Sequence, residues 1–202
     1  IKNPVTTADM IREAKAAVDH PWMRDDFDEP VVISVGRLTK NKDHQTLLKA
    51  FRLINDEVPS RLLILGEGPE RPTLERAIAE TGLLDRVQLP GFVDRPWAWM
   101  AKSSLFVLSS FAEGSGNVLT EAMAVGIPVV STDCPSGPNE MLDGGRIAPL
   151  VPIGDAAALA EACIGVLKTG IAPSLLEEAV APFKAEVAAR SYLAFMKVNA
   201  PF

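Results

Sequence analysis

Cysteine and histidine are scarce in this chain. Its two cysteines, Cys134 and Cys163, stand far apart and in no metal-ligand spacing. They form no disulfide framework and suit a reducing cytosol. Its two histidines, His20 and His44, are too few and too separated for a histidine-based metal site. No stretch reaches the ~18 consecutive apolar residues of a membrane span, and no basic-then-apolar leader opens the chain. Positive charge is also short: Lys plus Arg is 20 against 26 for Asp plus Glu, a net charge of −6. That argues against a general nucleic-acid binder, while a local basic pocket stays open. Apolar residues are plentiful, 48% of 202, which is enough for the core of one large domain or two small ones.

The chain opens with Ile1 and runs into Asn3-Pro4-Val5, which reads as the middle of a longer polypeptide. Residues 1–29 are polar and mixed, with a short helix expected near 7–19 and then a linker ending in Asp25, Asp26, Asp28 and Glu29. After Pro30 the texture changes. Val31 to Val35 is a short β-branched run, as expected of a parallel strand covered on both faces. Similar runs recur at 62–65, 87–89, 105–108, 128–131 and 147–151. Helices are predicted between them. One is capped by Asp43, with Leu47, Leu48, Phe51 and Ile54 forming a 3.6-residue stripe. Others are expected near 70–81, 117–125, 136–143 and 155–168. Strands alternating with helices predict a doubly wound α/β domain with a parallel sheet over 30–170. The tail, 171–202, is expected to be helical over 174–198, broken at Pro182, and to reach across to another domain.

In such sheets ligands sit beyond the carboxyl ends of the strands, at the switch point in strand order. After the first strand come Gly36, Arg37 and Lys42. Arg and Lys there suit a diphosphate; an ordinary solvated loop is the other reading. Gly66-Glu67-Gly68-Pro69 follows the second strand and lacks the third glycine of a dinucleotide fingerprint, so a simple turn is favoured. The most informative stretch follows the fourth strand, Glu113-Gly114-Ser115-Gly116-Asn117-Val118-Leu119-Thr120-Glu121. Its glycines let backbone approach a ligand. Asn117 can cap the next helix, whose first N–H groups favour phosphate. Glu121 lies on a nearly all-apolar helix and needs partners. A ribose diol is one; the helix dipole or an arginine is another. Glu113 either points into the cleft at a sugar or is a loop acid in solvent.

Glu113, seven residues, then Glu121 followed by Ala122-Met123-Ala124-Val125-Gly126-Ile127-Pro128 resembles the E-x7-E signature of retaining glycosyltransferases of the GT-B fold, family 4. Val35-Gly36-Arg37-Leu38 with Lys42, Leu65-Gly66-Glu67-Gly68-Pro69, Leu89-Pro90-Gly91-Phe92-Val93 and Asp133-Cys134-Pro135-Ser136-Gly137-Pro138-Asn139-Glu140 follow in the family's order. Asn3-Pro4-Val5 resembles its interdomain link. The resemblance spans 30–170 and implies the Rossmann-like, donor-binding half of a GT-B enzyme. Arg37 and Lys42 would hold the donor's diphosphate, Glu121 the ribose and Glu113 the sugar hydroxyls. Backbone N–H groups of residues 115–119 would complete the cradle, and Phe92 and Val93 would lie against the base.

The family also implies front-face attack without a metal or other cofactor. Ser115 departs from a position that is often bulky and apolar there, and Ala148 from one that is often glycine. The expected substrate is a nucleoside-diphosphate hexose or N-acetylhexosamine, UDP favoured over GDP, transferred to a glycan or lipid-linked acceptor. The acceptor domain is expected elsewhere in the protein, so this chain alone should turn over little. The full-length protein is expected to be cytoplasmic and peripheral on the inner face of a bacterial plasma membrane. Three other readings compete. A metal-dependent transferase would use Asp26-Phe27-Asp28, which precedes the first strand and lies at the wrong edge. A sugar-nucleotide epimerase and an inactive nucleotide-sugar-binding module would share the fold.

Overall fold

The computed structural model describes residues 2–196. Six parallel strands form one sheet: β1 (Val31–Val35), β2 (Arg61–Leu65), β3 (Val87–Gly91), β4 (Leu105–Leu108), β5 (Val129–Thr132) and β6 (Leu150–Val151). Their spatial order is β3-β2-β1-β4-β5-β6. The direction of winding reverses between β1 and β4, so the loops leaving those two strands diverge and open a crevice.

Helices cover both faces. The strands alternate between two cores, as the two-residue period requires. Ile33, Leu63, Phe106 and Val129 join one core with α5 (Asn117–Ala124) and α8 (Pro173–Val180). Val32, Leu62, Val107 and Val130 join the other with α2 (His44–Glu57), α3 (Arg71–Glu80) and α7 (Ala156–Thr169). This is why the strands read as continuous apolar runs. Complete burial of a side chain such as Phe106 contributes about 2–3 kcal/mol.

The predicted elements are present, with instructive differences. The first helix, α1 (Ala8–Glu13), stops short of the expected residue 19. Met10 is its one buried residue, and without an apolar stripe further turns gain nothing to offset their ordering. The helix expected over 136–143 is a single turn, α6 (Pro138–Met141), because the backbone is left-handed at Ser136 and Gly137. The strand expected over 147–151 shrinks to β6, since prolines 149 and 152 bracket it and withhold N–H donors. A helix absent from the prediction, α4 (Trp97–Lys102), links β3 to β4.

The tail breaks at Pro182 into α8, a turn at Ala181–Phe183, and α9 (Ala185–Phe195). Residues 197 and 198 of the predicted tail helix lie outside the described residues. Leu176, Ala179, Val180 and Phe183 are part of the first core. The amino-terminal stretch pairs with the tail: Val5 and Thr6 donate to the Phe183 carbonyl at 3.0 and 3.1 Å, and Ala185 to that of Thr6 at 3.1 Å. No single described helix is long and apolar enough to cross a membrane.

Candidate functional site

The loop leaving β1 is built to lie close over β2. Gly36 donates to the Leu65 carbonyl at 3.0 Å and Leu38 to that of Glu67 at 2.9 Å. A Cβ at Gly66 would fall 1.9 Å from the Gly36 oxygen, and one at Gly68 2.3 Å from that of Leu38. The Gly66-Glu67-Gly68 turn is therefore glycine-rich to admit its neighbour's backbone. Gly36 is small for another reason: a Cβ there would meet the Lys42 stem at 3.4 Å. The loop closes in a tight turn, Lys40–Lys42, and Asp43, at φ 45, caps α2 by accepting from Thr46 at 3.2 Å.

The loop leaving β4 is stitched to this one. Ser109 Oγ donates to the Lys42 carbonyl at 2.8 Å, and Phe111 N to that of Asn41 at 2.8 Å. Across the switch point Lys42 Nζ donates to both Glu113 oxygens, at 2.6 and 2.8 Å, and Ser110 Oγ donates to the same carboxylate. The Glu113 side chain is only 8% exposed and that of Lys42 16%, so Glu113 is not a loop acid in solvent. A largely desolvated pair of this kind gives modest net stability and chiefly fixes geometry. The thiol of Cys134 lies beside it. Burial pushes that thiol up, and the Glu113 charge adds to the shift. His44, two residues beyond Lys42, is lowered to about 4 by burial first and the Lys42 charge second.

Helix α5 starts differently from the expectation. Its cap is Gly116, at φ 61, and no side chain caps it. Asn117 is already the first helical residue, past the position from which a cap reaches back, and its buried Oδ1 has no partner among the described residues. Leu119, expected in the phosphate cradle, is fully buried and its N–H donates to Gly116 O at 2.9 Å. Gly137 leans over this loop; a Cβ there would lie 2.9 Å from Ser115 O.

A cavity of about 410 Å³ results, lined by Gly36, Arg37, Lys42, Glu113 and residues 114–118. A second, about 480 Å³, is lined by Leu65, Gly66, Glu67, Phe92 and Val93. The two share Val35, Gly36 and Arg37 and so form one crevice. Arg37 and Phe92 are exposed within it. A larger hollow, about 550 Å³, lies between the amino-terminal stretch, α5 and the tail. It shares no lining residue with the crevice at the switch point, so volume is a poor guide to chemistry here.

Glu121 lines neither half of the crevice. It stands one helical turn beyond Asn117, on the same face. It is half-buried, and its partner is neither an arginine nor the start of its helix: Trp97 Nε1 donates to Oε2 at 3.0 Å. Trp97 and Ser110 were missed as site residues. Ser110 lies just past the end of β4 and had a positional signal. Trp97 reads in the sequence as an aromatic that could approach a base but is more often core or rim, and it sits on the unpredicted α4. Among the described residues no three His, Cys, Asp or Glu side chains gather as a metal cluster. Asp26 and Asp28 are exposed near Glu29, which pairs with Arg61 at the amino end of β2.

Comparison with known proteins decides the family. The family described as glycosyl transferases group 1 matches residues 29–169. The chain belongs to the group 1 glycosyltransferases. It is 34% identical over 182 residues to the lipopolysaccharide core biosynthesis glycosyltransferase LpsE of Rhizobium meliloti, covering 88% of this chain and 52% of LpsE. It is 34% identical over 145 residues to a Campylobacter jejuni N-acetylgalactosaminyltransferase acting on a diphospho-undecaprenol glycan, covering 72% of this chain and 38% of that enzyme. This glycosyltransferase chain thus spans about half, or less, of the length of these relatives. The structure of HepE from Anabaena with UDP and glucose superposes with a TM-score of 0.78 at 22% identity, over 95% of this chain and 53% of HepE. That likeness places the fold among the Rossmann-like domains of GT-B glycosyltransferases.

Proposed function

We propose that this chain is the donor-binding half of a retaining family 4 glycosyltransferase. It takes a hexose or N-acetylhexosamine from a nucleoside diphosphate, UDP before GDP, for transfer to a glycan or lipid-linked acceptor. One observation carries the reading: Lys42 and Glu113, from loops on either side of the switch point, meet at the wall of a crevice that continues to Phe92 and Val93. A cation, a carboxylate, a glycine-rich helix start and an apolar shelf in one crevice match diphosphate, sugar, phosphate oxygens and base. The relatives act on lipopolysaccharide or diphospho-undecaprenol glycans, and HepE is described with UDP.

In this reading Arg37 and Lys42 bind the diphosphate, Glu113 the sugar hydroxyls, Glu121 the ribose, and Phe92 with Val93 the base. Phosphate oxygens compete with Glu113 for Lys42, freeing carboxylate oxygens to accept from the sugar. The sugar C1–O bond to the diphosphate breaks while the acceptor oxygen bonds to C1 on the same face. The acceptor proton passes to the departing phosphate oxygen. Arg37, Lys42 and the first N–H groups of α5 stabilise the departing charge, with no metal required. The acceptor domain lies in the rest of the protein, which works in the cytoplasm, peripheral to the inner face of the plasma membrane. The chain alone binds donor without turnover.

Calorimetric titration of the chain with UDP, GDP and their sugars tests the binding half of this reading. Glu121→Ala should weaken every ribose-containing ligand, and Glu113→Ala mainly the sugar-bearing ones. Unchanged binding by both variants would remove the site assignment. Transfer by the whole protein, with and without EDTA, tests the reaction. Hydrolysis or epimerisation without an acceptor would favour the epimerase instead.

A further inference from the structure

We infer that Trp97 is a positioning residue for the ribose-binding carboxylate: its indole N–H holds Glu121 in the one orientation that accepts the sugar diol. The inference rests on the reading of Glu121 proposed above. Glu121 is half-buried on α5, and among the described residues no lysine or arginine pairs with it. Its observed partner is neutral, Trp97 Nε1 at 3.0 Å from Oε2. A cation in that place would neutralise the carboxylate and compete with a ligand for its lone pairs. An indole N–H occupies one lone pair of Oε2 and leaves the charge intact. Oε1 stays free to accept from hydroxyls.

The donor is also a fixed post. Trp97 is the first residue of α4, its ring packs against the core on the α5 side of the sheet, and Pro96 precedes it at the helix cap. A glutamate held by such a post loses little rotamer freedom when a ligand arrives, whereas an untethered one loses more. Plain packing is the competing role for Trp97. Trp99 offers an internal comparison: it packs against the same core, and its ring lies 5.3 Å from that of His20.

The test is a double-mutant cycle read by calorimetry on the chain, with UDP and with 2′,3′-dideoxy-UDP, which lacks the diol. Trp97→Phe keeps an aromatic ring and deletes the N–H. It should weaken UDP by about fivefold and leave the dideoxy ligand unchanged. Glu121→Ala should weaken UDP by about tenfold or more. In the Glu121→Ala background, adding Trp97→Phe should then cost nothing further. Trp99→Phe should bind both ligands as the parent does. If Glu121→Ala weakens UDP and Trp97→Phe does not, the positioning role is wrong and the ribose reading stands. If Glu121→Ala binds UDP like the parent, the ribose reading itself fails, and this inference with it. Equal losses for both ligands, or additive losses in the cycle, would make Trp97 a packing residue only. Should Trp97→Phe not fold, benzothienylalanine at position 97, which keeps the bicyclic shape without an N–H, takes its place with the same outcomes.

Discussion

Each end of the sheet carries a clasped glutamate, and the two clasps differ in what surrounds them. At the amino end Glu29 accepts from Arg61 at 2.6 Å and Arg86 at 2.7 Å. Burial alone would raise its carboxyl, yet the two guanidinium groups outweigh that and hold it below the usual carboxylate range. Arg61 is itself stacked over Trp22 and Phe27, at 5.3 and 5.9 Å from the ring centres. There the carboxylate and the two guanidinium groups pair with one another. At the carboxyl end Glu113 is clasped by Lys42 and the Ser110 hydroxyl at the wall of a crevice, among glycines. The charge chemistry is nearly the same. The backbone makes the difference, because strand order opens a gap at one end of the sheet and packing closes the other. An ion pair becomes a site where the chain leaves room beside it.

The largest effect should come from filling that room. Gly66→Ala puts a Cβ 1.9 Å from the Gly36 oxygen at φ +140. It should cost about 4 kcal/mol or more in chemical denaturation and abolish UDP binding. A variant as stable as the parent would mean that the crossing of the two loops is not close.

Glu113→Gln sharpens the contrast between the clasps. It should lower transfer by the whole protein about 10²-fold while UDP binding holds. Its partner at the other end, Glu29→Gln, should leave transfer unchanged. Matched activities for the two variants would erase the distinction between the ends.

The ends should also titrate in different windows. His44 has a folded pKa of about 4 against an ordinary 6.5, so the unfolded chain takes up a proton first. Its contribution is complete above pH 6.5 and is lost as pH falls towards 4, roughly 3 kcal/mol in all. His44→Leu should flatten the stability profile in that window, measured by urea midpoints against pH. The Glu29 contribution is present above its ordinary value of 4.5 and is lost only below it. Glu29→Gln should therefore show the smallest effect, about 1 kcal/mol near neutral pH, and no slope change above 4.5.

Much of the fold was legible because its signals are local. β-Branched runs, Gly punctuation and the Leu47-Leu48-Phe51-Ile54 stripe each report on their own neighbourhood, and strands and helices appear where those signals lie. Elements with weak local signals went astray. The turn at α4, rich in tryptophan, carried no helical stripe, and α1 had a helical composition but one buried anchor. Asn117 shows the limit at single-residue scale. Its identity suits a cap, but the left-handed turn at Gly116 moved the cap one residue earlier.

By itself, the sequence determined that a parallel sheet would form and that two glutamates would flank one helix start. Both follow from periodicity and spacing along the chain. Only the tertiary structure decided whom those glutamates would meet. Lys42 and Glu113 are 71 residues apart, and Trp97 and Glu121 are 24 apart. Each pair forms because the strand order sets their loops and helices side by side, and that order is a property of the packed sheet.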